Sequence, residues 1–105
     1  MTVQQIETAT VVGTITAGGA GNATVIITAR DLSTSPETVS VAVANNDTAD
    51  QVAAKIRAAL VYDATIAGVF LVSGATDKVI LTRHVAAAND STLNISINNG
   101  TCSGL

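Results

Sequence analysis

The sequence has one cysteine, one proline, one histidine, no tryptophan and only two aromatic residues, Tyr62 and Phe70. Each scarcity excludes something. A lone Cys102 cannot close an internal disulfide, so a secreted, disulfide-stapled scaffold is ruled out. One histidine with one cysteine falls short of the three or four protein ligands a zinc site takes. Two aromatics offer little on which bases or sugar rings can stack. Basic residues are scarce too: five Lys and Arg, no two adjacent, stand against eight Asp and Glu for a net charge of −3. Nucleic-acid binding draws most of its non-specific affinity from a basic patch, and this chain has none. Nor does any apolar run approach the ~20 residues that cross a bilayer; residues 66–72 are a strand's worth. The first residues, Met1-Thr2-Val3-Gln4-Gln5-Ile6-Glu7, lack both a basic and an apolar signal region. The composition therefore predicts a soluble protein made and kept in a cytoplasm, or assembled there.

What is abundant is equally specific. Of 105 residues, 48% are hydrophobic and 12% charged, with a mean hydropathy of +0.46. That is the reverse of a disordered composition and the length of one domain. Thr, Val and Ile make up 37 residues, a strong β-branched bias. Alternation follows it in residues 10–16, 22–29 and 38–44, the last with Val39, Val41 and Val43 on one side. Residues 69–72, 78–83 and 92–98 continue the pattern. The run Gly18-Gly19-Ala20-Gly21 reads as the turn of a hairpin joining the first two strands, and residues 73–77 as a second such turn. Residues 30–37, which hold Pro36, and 84–91 read as loops.

One helix interrupts the strands. Thr48 and Gln51 fit a capping box, and Val52, Ile56, Ala59 and Leu60 recur at helical spacing, predicting a helix over about 48–61. The order is β-β-β-α-β-β-β. The predicted fold is a β-rich α+β single domain, a sheet or small sandwich with one amphipathic helix packed on it. Its expected bounds are residues 9–98, with an N-terminal arm over 1–8 and a short C-terminal tail over 99–105.

Chemistry-bearing residues are few. His84 beside Arg83 at a strand end reads as a solvated loop residue with no oriented nucleophile. Cys102, the fourth residue from the end of the sequence and among glycines, has nothing rigid to hold it. The glycine run lacks the Lys-Ser/Thr ending of a phosphate loop and precedes no helix. Asp47 and Asp50 complement the partial positive charge of the helix start. The residues thus point to no catalytic, cofactor-binding or metal site, and to neither an enzyme nor a small-molecule substrate. The outward strand positions, by contrast, are Thr, Ser, Asn and Ala, with few of the charges that discourage association.

Three stretches carry a resemblance. They are Gly21-Asn22-Ala23-Thr24-Val25; then Thr38-Val39-Ser40-Val41-Ala42-Val43 through Asn46-Asp47-Thr48-Ala49 into Val52-Ala53-Ala54-Lys55-Ile56; and Val79-Ile80-Leu81-Thr82 with Ala87-Ala88-Asn89-Asp90-Ser91-Thr92-Leu93-Asn94-Ile95. Together they resemble a small domain recurring in structural proteins of tailed bacteriophages and prophages, over about residues 20–105. The resemblance implies a virion structural protein, foremost a capsid decoration (cement) protein on the outside of the head. Its partners would be the major capsid protein and copies of itself, in a symmetric oligomer such as a trimer. It implies no direct contact with nucleic acid or membrane. A tail-tube or tail-associated subunit is the alternative, and a host-surface binding module a more distant one.

Overall fold

Among the described residues, alternating β-branched residues build six strands, and a capped apolar stretch builds the main helix between the third and the fourth. The computed structural model describes residues 4–30, 32–85 and 90–105. The elements are β1 (Ile6–Thr10), β2 (Gly21–Thr28), β3 (Glu37–Val43), α1 (Ala49–Tyr62), a one-turn α2 (Ala64–Ala67), β4 (Phe70–Ser73), β5 (Lys78–Arg83) and β6 (Asn94–Asn98). They form two antiparallel three-stranded sheets, in the orders β1-β5-β4 and β3-β2-β6. The β-rich α+β class predicted from the sequence is the class observed. Residues 1–3 of the expected arm, and residues 31 and 86–89 of the expected loops, lie outside the described residues.

Each half of the chain gives a strand to the other half's hairpin. The β2–β3 hairpin is completed by β6, and the β4–β5 hairpin by β1. The two visiting strands lie beside one another, and α1 packs against β3, β4 and β5. The core sits between the sheets and the helix. Val25, Ile27, Val39, Val41, Val79, Leu81 and Phe70 from the strands and Val52, Ile56 and Leu60 from α1 are all buried in one cluster. At the start of α1 the Thr48 hydroxyl accepts from the Gln51 amide while the Gln51 side chain accepts from the Thr48 amide, the predicted capping box. Asp63 ends α1 and begins α2, its carboxylate accepting from the amides of Thr65 and Ile66.

Three expectations are corrected. The first concerns residues 10–16. They form no strand beyond Thr10, and no hairpin joins them to β2. Val11 and Ile15 are both buried, at four-residue and not two-residue spacing. Gly13 breaks the extended backbone between them at φ +94, where a Cβ would lie 2.2 Å from the Gly104 carbonyl oxygen. The segment instead carries the chain from one sheet to the other.

The second concerns the arm. Ile6–Thr8, expected in an N-terminal arm outside the domain, pair with Thr82, Leu81 and Ile80 of β5. The third concerns the tail. The Thr101 amide donates to the Asn22 carbonyl and the Ser103 amide to that of Gly19, while the Thr101 hydroxyl accepts from the Asn22 amide. This covers the part of β2 that β6 does not reach. Gly21 has no side chain because a Cβ there would sit 2.6 Å from the Thr101 carbonyl oxygen. The glycine run is therefore not a hairpin turn between strands: Gly18 lies in a turn closed by the Gly19 amide on the Thr16 carbonyl, and Gly19 and Gly21 are close backbone approaches to residues 101–103.

Candidate docking surface

The register places ten outward side chains on the exposed face of β3-β2-β6. Ser40, Thr24 and Asn98 form one row and Thr38, Ile26 and Ser96 the next. Ala42 with Asn22, and Thr28 with Asn94, close the two ends. None carries a charge. Six are exposed, and Thr24, Ile26, Thr28 and Ser96 are half-buried among their neighbours. Short side chains like these lose little rotamer freedom when covered, whereas Lys, Glu or Arg each lose about 1.5–2 kcal/mol. Covering the face costs little side-chain entropy, and it has no formal charge to repel a neighbour.

The outward face of β1-β5-β4 is similar but more apolar. Ile6, Thr82 and Leu71 lie in one row across three strands, with Thr8, Ile80 and Ser73 in the next. Ile6 and Leu71 are more than half exposed. A single charge, Lys78, stands at one end, and it pairs with Asp77 at 3.2 Å.

Charge is held in the corners of the fold instead. Asp90, 2% exposed, accepts from the backbone amides of Arg30 and Thr92 and from the Thr92 hydroxyl. These bonds, the Arg30 amide first, lower its carboxyl to about 2. The Gln5 side chain brackets the Asp90 backbone, donating to its carbonyl and accepting from its amide. Asp47 accepts from the Ala44 amide and pairs with Lys55, and both contacts lower its carboxyl. Glu37 is the opposite case: a hydrogen bond shared with the Asp63 carboxylate raises its carboxyl above the ordinary value.

The residues with reactive chemistry stand apart from both faces. His84 is exposed, with its Nε2 2.9 Å from the Ala67 carbonyl, and it borders a small cavity of about 150 Å³ with Gly68, Val69, Arg83 and Val85. Cys102 is buried, contrary to expectation, with its thiol 2.9 Å from the Asn99 carbonyl. Asn99 also brackets the backbone of Leu105, fixing the segment around the cysteine. Among the described residues no group of three or more His, Cys, Asp or Glu is placed to hold a metal ion. No described helix is long and apolar enough to cross a membrane.

Alternation made the outward positions of β2, β3 and β6 readable in the sequence. That they form one face was not readable, because it depends on β6 pairing with β2 across more than sixty residues of chain. No family model matches the chain, and no curated protein or solved structure matches it either.

Proposed function

We propose that the chain is a structural protein of a tailed-bacteriophage virion, a decoration protein that adds to the assembled capsid and stabilises it. The observation that carries the reading is the ten-residue outward face of β3-β2-β6, uncharged throughout. The resemblance of β2, of β3 through α1 and of β5 to virion structural domains supports it.

The mechanism is mass action. A protein that binds the assembled lattice and not its dissociated subunits stabilises the lattice by RT ln(1 + [L]/Kd) per site, about 2.7 kcal/mol at a hundredfold excess over Kd. Small polar side chains suit this role, since they dock on a preformed shell with little ordering cost. The test is thermal melting of mature empty capsids with and without the purified protein. A rise in capsid melting temperature that saturates with added protein is expected. Unchanged melting at saturating protein removes the reading, and spontaneous rings or tubes of the isolated protein under the electron microscope would replace it with a tail-tube subunit.

A further inference from the structure

The sequence has seven asparagines, and only Asn99 is followed by a glycine. That pair has a chemistry of its own. A backbone amide nitrogen can attack the side-chain carbonyl carbon of the asparagine before it, and a side chain on the attacking residue obstructs the approach. Gly100 has none. The packing requires glycine here for a separate reason. Gly100 sits at φ +58, and a Cβ there would lie 2.4 Å from the Asn22 carbonyl oxygen and 2.5 Å from the Thr24 hydroxyl. The residue that the fold demands is also the one that leaves Asn99 open to attack.

Asn99 anchors the segment that follows it. Its side chain brackets the Leu105 backbone, Oδ1 accepting from the amide at 2.9 Å and Nδ2 donating to the carbonyl at 3.3 Å. Its own carbonyl accepts from the Cys102 amide and from the Cys102 thiol, each at 2.9 Å. While these bonds stand, the side chain is tied to Leu105 and cannot turn onto the Gly100 nitrogen. Residues 100, 101, 103 and 104 are exposed, and the Thr101 and Ser103 amides hold the segment to the Asn22 and Gly19 carbonyls. A segment secured by a few exposed backbone hydrogen bonds opens locally at small cost.

We propose that Asn99 is a deamidation site gated by opening of residues 100–105, and that the reaction makes the opening permanent. In the open segment the Gly100 nitrogen bonds to Asn99 Cγ and the Cγ–Nδ2 bond breaks. Ammonia leaves, carrying the proton of the Gly100 amide. Water then opens the five-membered imide at either of its carbonyls. Opening at Cγ gives aspartate in an ordinary chain. Opening at the other carbonyl gives isoaspartate, in which the main chain runs through Cγ and is one atom longer.

Neither product restores the anchor. Aspartate has no Nδ2 to donate to Leu105 and sets an oxygen against the Leu105 carbonyl oxygen. Isoaspartate turns the carbonyl that holds Cys102 into a free carboxylate on a side branch, and the longer chain no longer seats Gly100 against Asn22 and Thr24. Release of the segment uncovers the buried Cys102 and frees the Gly19 and Asn22 carbonyls. The inference concerns the isolated protein and does not rest on the virion reading.

The single cysteine reports the outcome. The full chain is aged in mildly alkaline buffer, and digestion with mass spectrometry locates each conversion of amide to acid. Conversion is expected at Asn99 ahead of the other six asparagines, and faster in urea than in the folded chain, where the bonds to Leu105 hold the side chain. The converted protein is expected to react with a thiol-specific disulfide reagent at least about tenfold faster than fresh protein, the ratio that follows from one hydrogen-bonding group left without its partner. Asn99→Asp should raise thiol reactivity without ageing, whereas Asn98→Asp, at an exposed neighbour, should not. Earlier conversion at another asparagine overturns the proposal. So do equal rates in the folded and urea-unfolded chains, or unchanged thiol reactivity after full conversion. Should Asn99→Asp fail to fold, the aged native chain decides alone.

Discussion

The strand faces and the corners of this molecule treat charge in opposite ways. Across β3-β2-β6 ten outward side chains carry none, while Asp47, Asp63 and Asp90 each receive backbone amides at a turn or helix start. These three carboxylates serve the geometry of the chain itself. What faces outward from the second sheet is left uncharged, and that contrast separates residues that maintain the fold from residues available to a partner.

The contrast can be broken in several places. The largest effect is expected in the core that supports both regions. Leu60→Ala removes a fully buried side chain where α1 meets the sheets and should lower unfolding free energy by about 2–5 kcal/mol in urea denaturation. A charge on the strand face should behave otherwise. Ser40→Glu is expected to change stability by no more than about 0.5 kcal/mol, because the site is exposed and the lost hydroxyl closes no turn.

The corners should respond to pH, and with opposite signs. The Asp90 carboxyl titrates near 2 in the folded chain against an ordinary 3.8. A lowered value means that its stabilisation is complete above about pH 4 and is lost as pH falls through 2. Melting temperatures of the native chain and Asp90→Asn should therefore differ at neutral pH and converge toward pH 2. Glu37 is raised, chiefly by its bond to Asp63, so its favourable protonated form is fully present below the unfolded value of 4.5 and is lost as pH rises through the higher folded value. Glu37→Gln should melt above the native chain at pH 7 and level with it near pH 4.

A small gain is expected in the β4–β5 turn. Thr76 is β-branched yet sits at φ +55, the left-handed region. Thr76→Gly should relieve that strain and gain about 1 kcal/mol or less, read by the same urea midpoint.

Local signals were legible in the sequence wherever they are sufficient by themselves. The alternation of Val39, Val41 and Val43 and the Thr48–Gln51 box mark β3 and the start of α1 without reference to anything distant. The errors fall where a distant segment decides. Residues 10–16 alternate like a strand, but Gly13 lies against Gly104 and the backbone turns there. Ile6–Thr8 look like an arm until β5 supplies their partner. Cys102 looks unsupported until Asn99 and the glycines of residues 19–21 are placed around it. The one-turn α2 has one local sign, Asp63, whose carboxylate caps the amides of Thr65 and Ile66. The candidate face was legible one strand at a time and became a face only through the β2–β6 register.

The most direct test of the central claim moves one charge between two places. Ser40→Lys lies on the uncharged β3-β2-β6 face, and Ala75→Lys lies in the exposed β4–β5 turn away from it. Both variants should fold like the native chain. In capsid melting, the account predicts that Ala75→Lys protects as the native chain does and that Ser40→Lys protects far less at the same concentration. Equal protection by the two would contradict it.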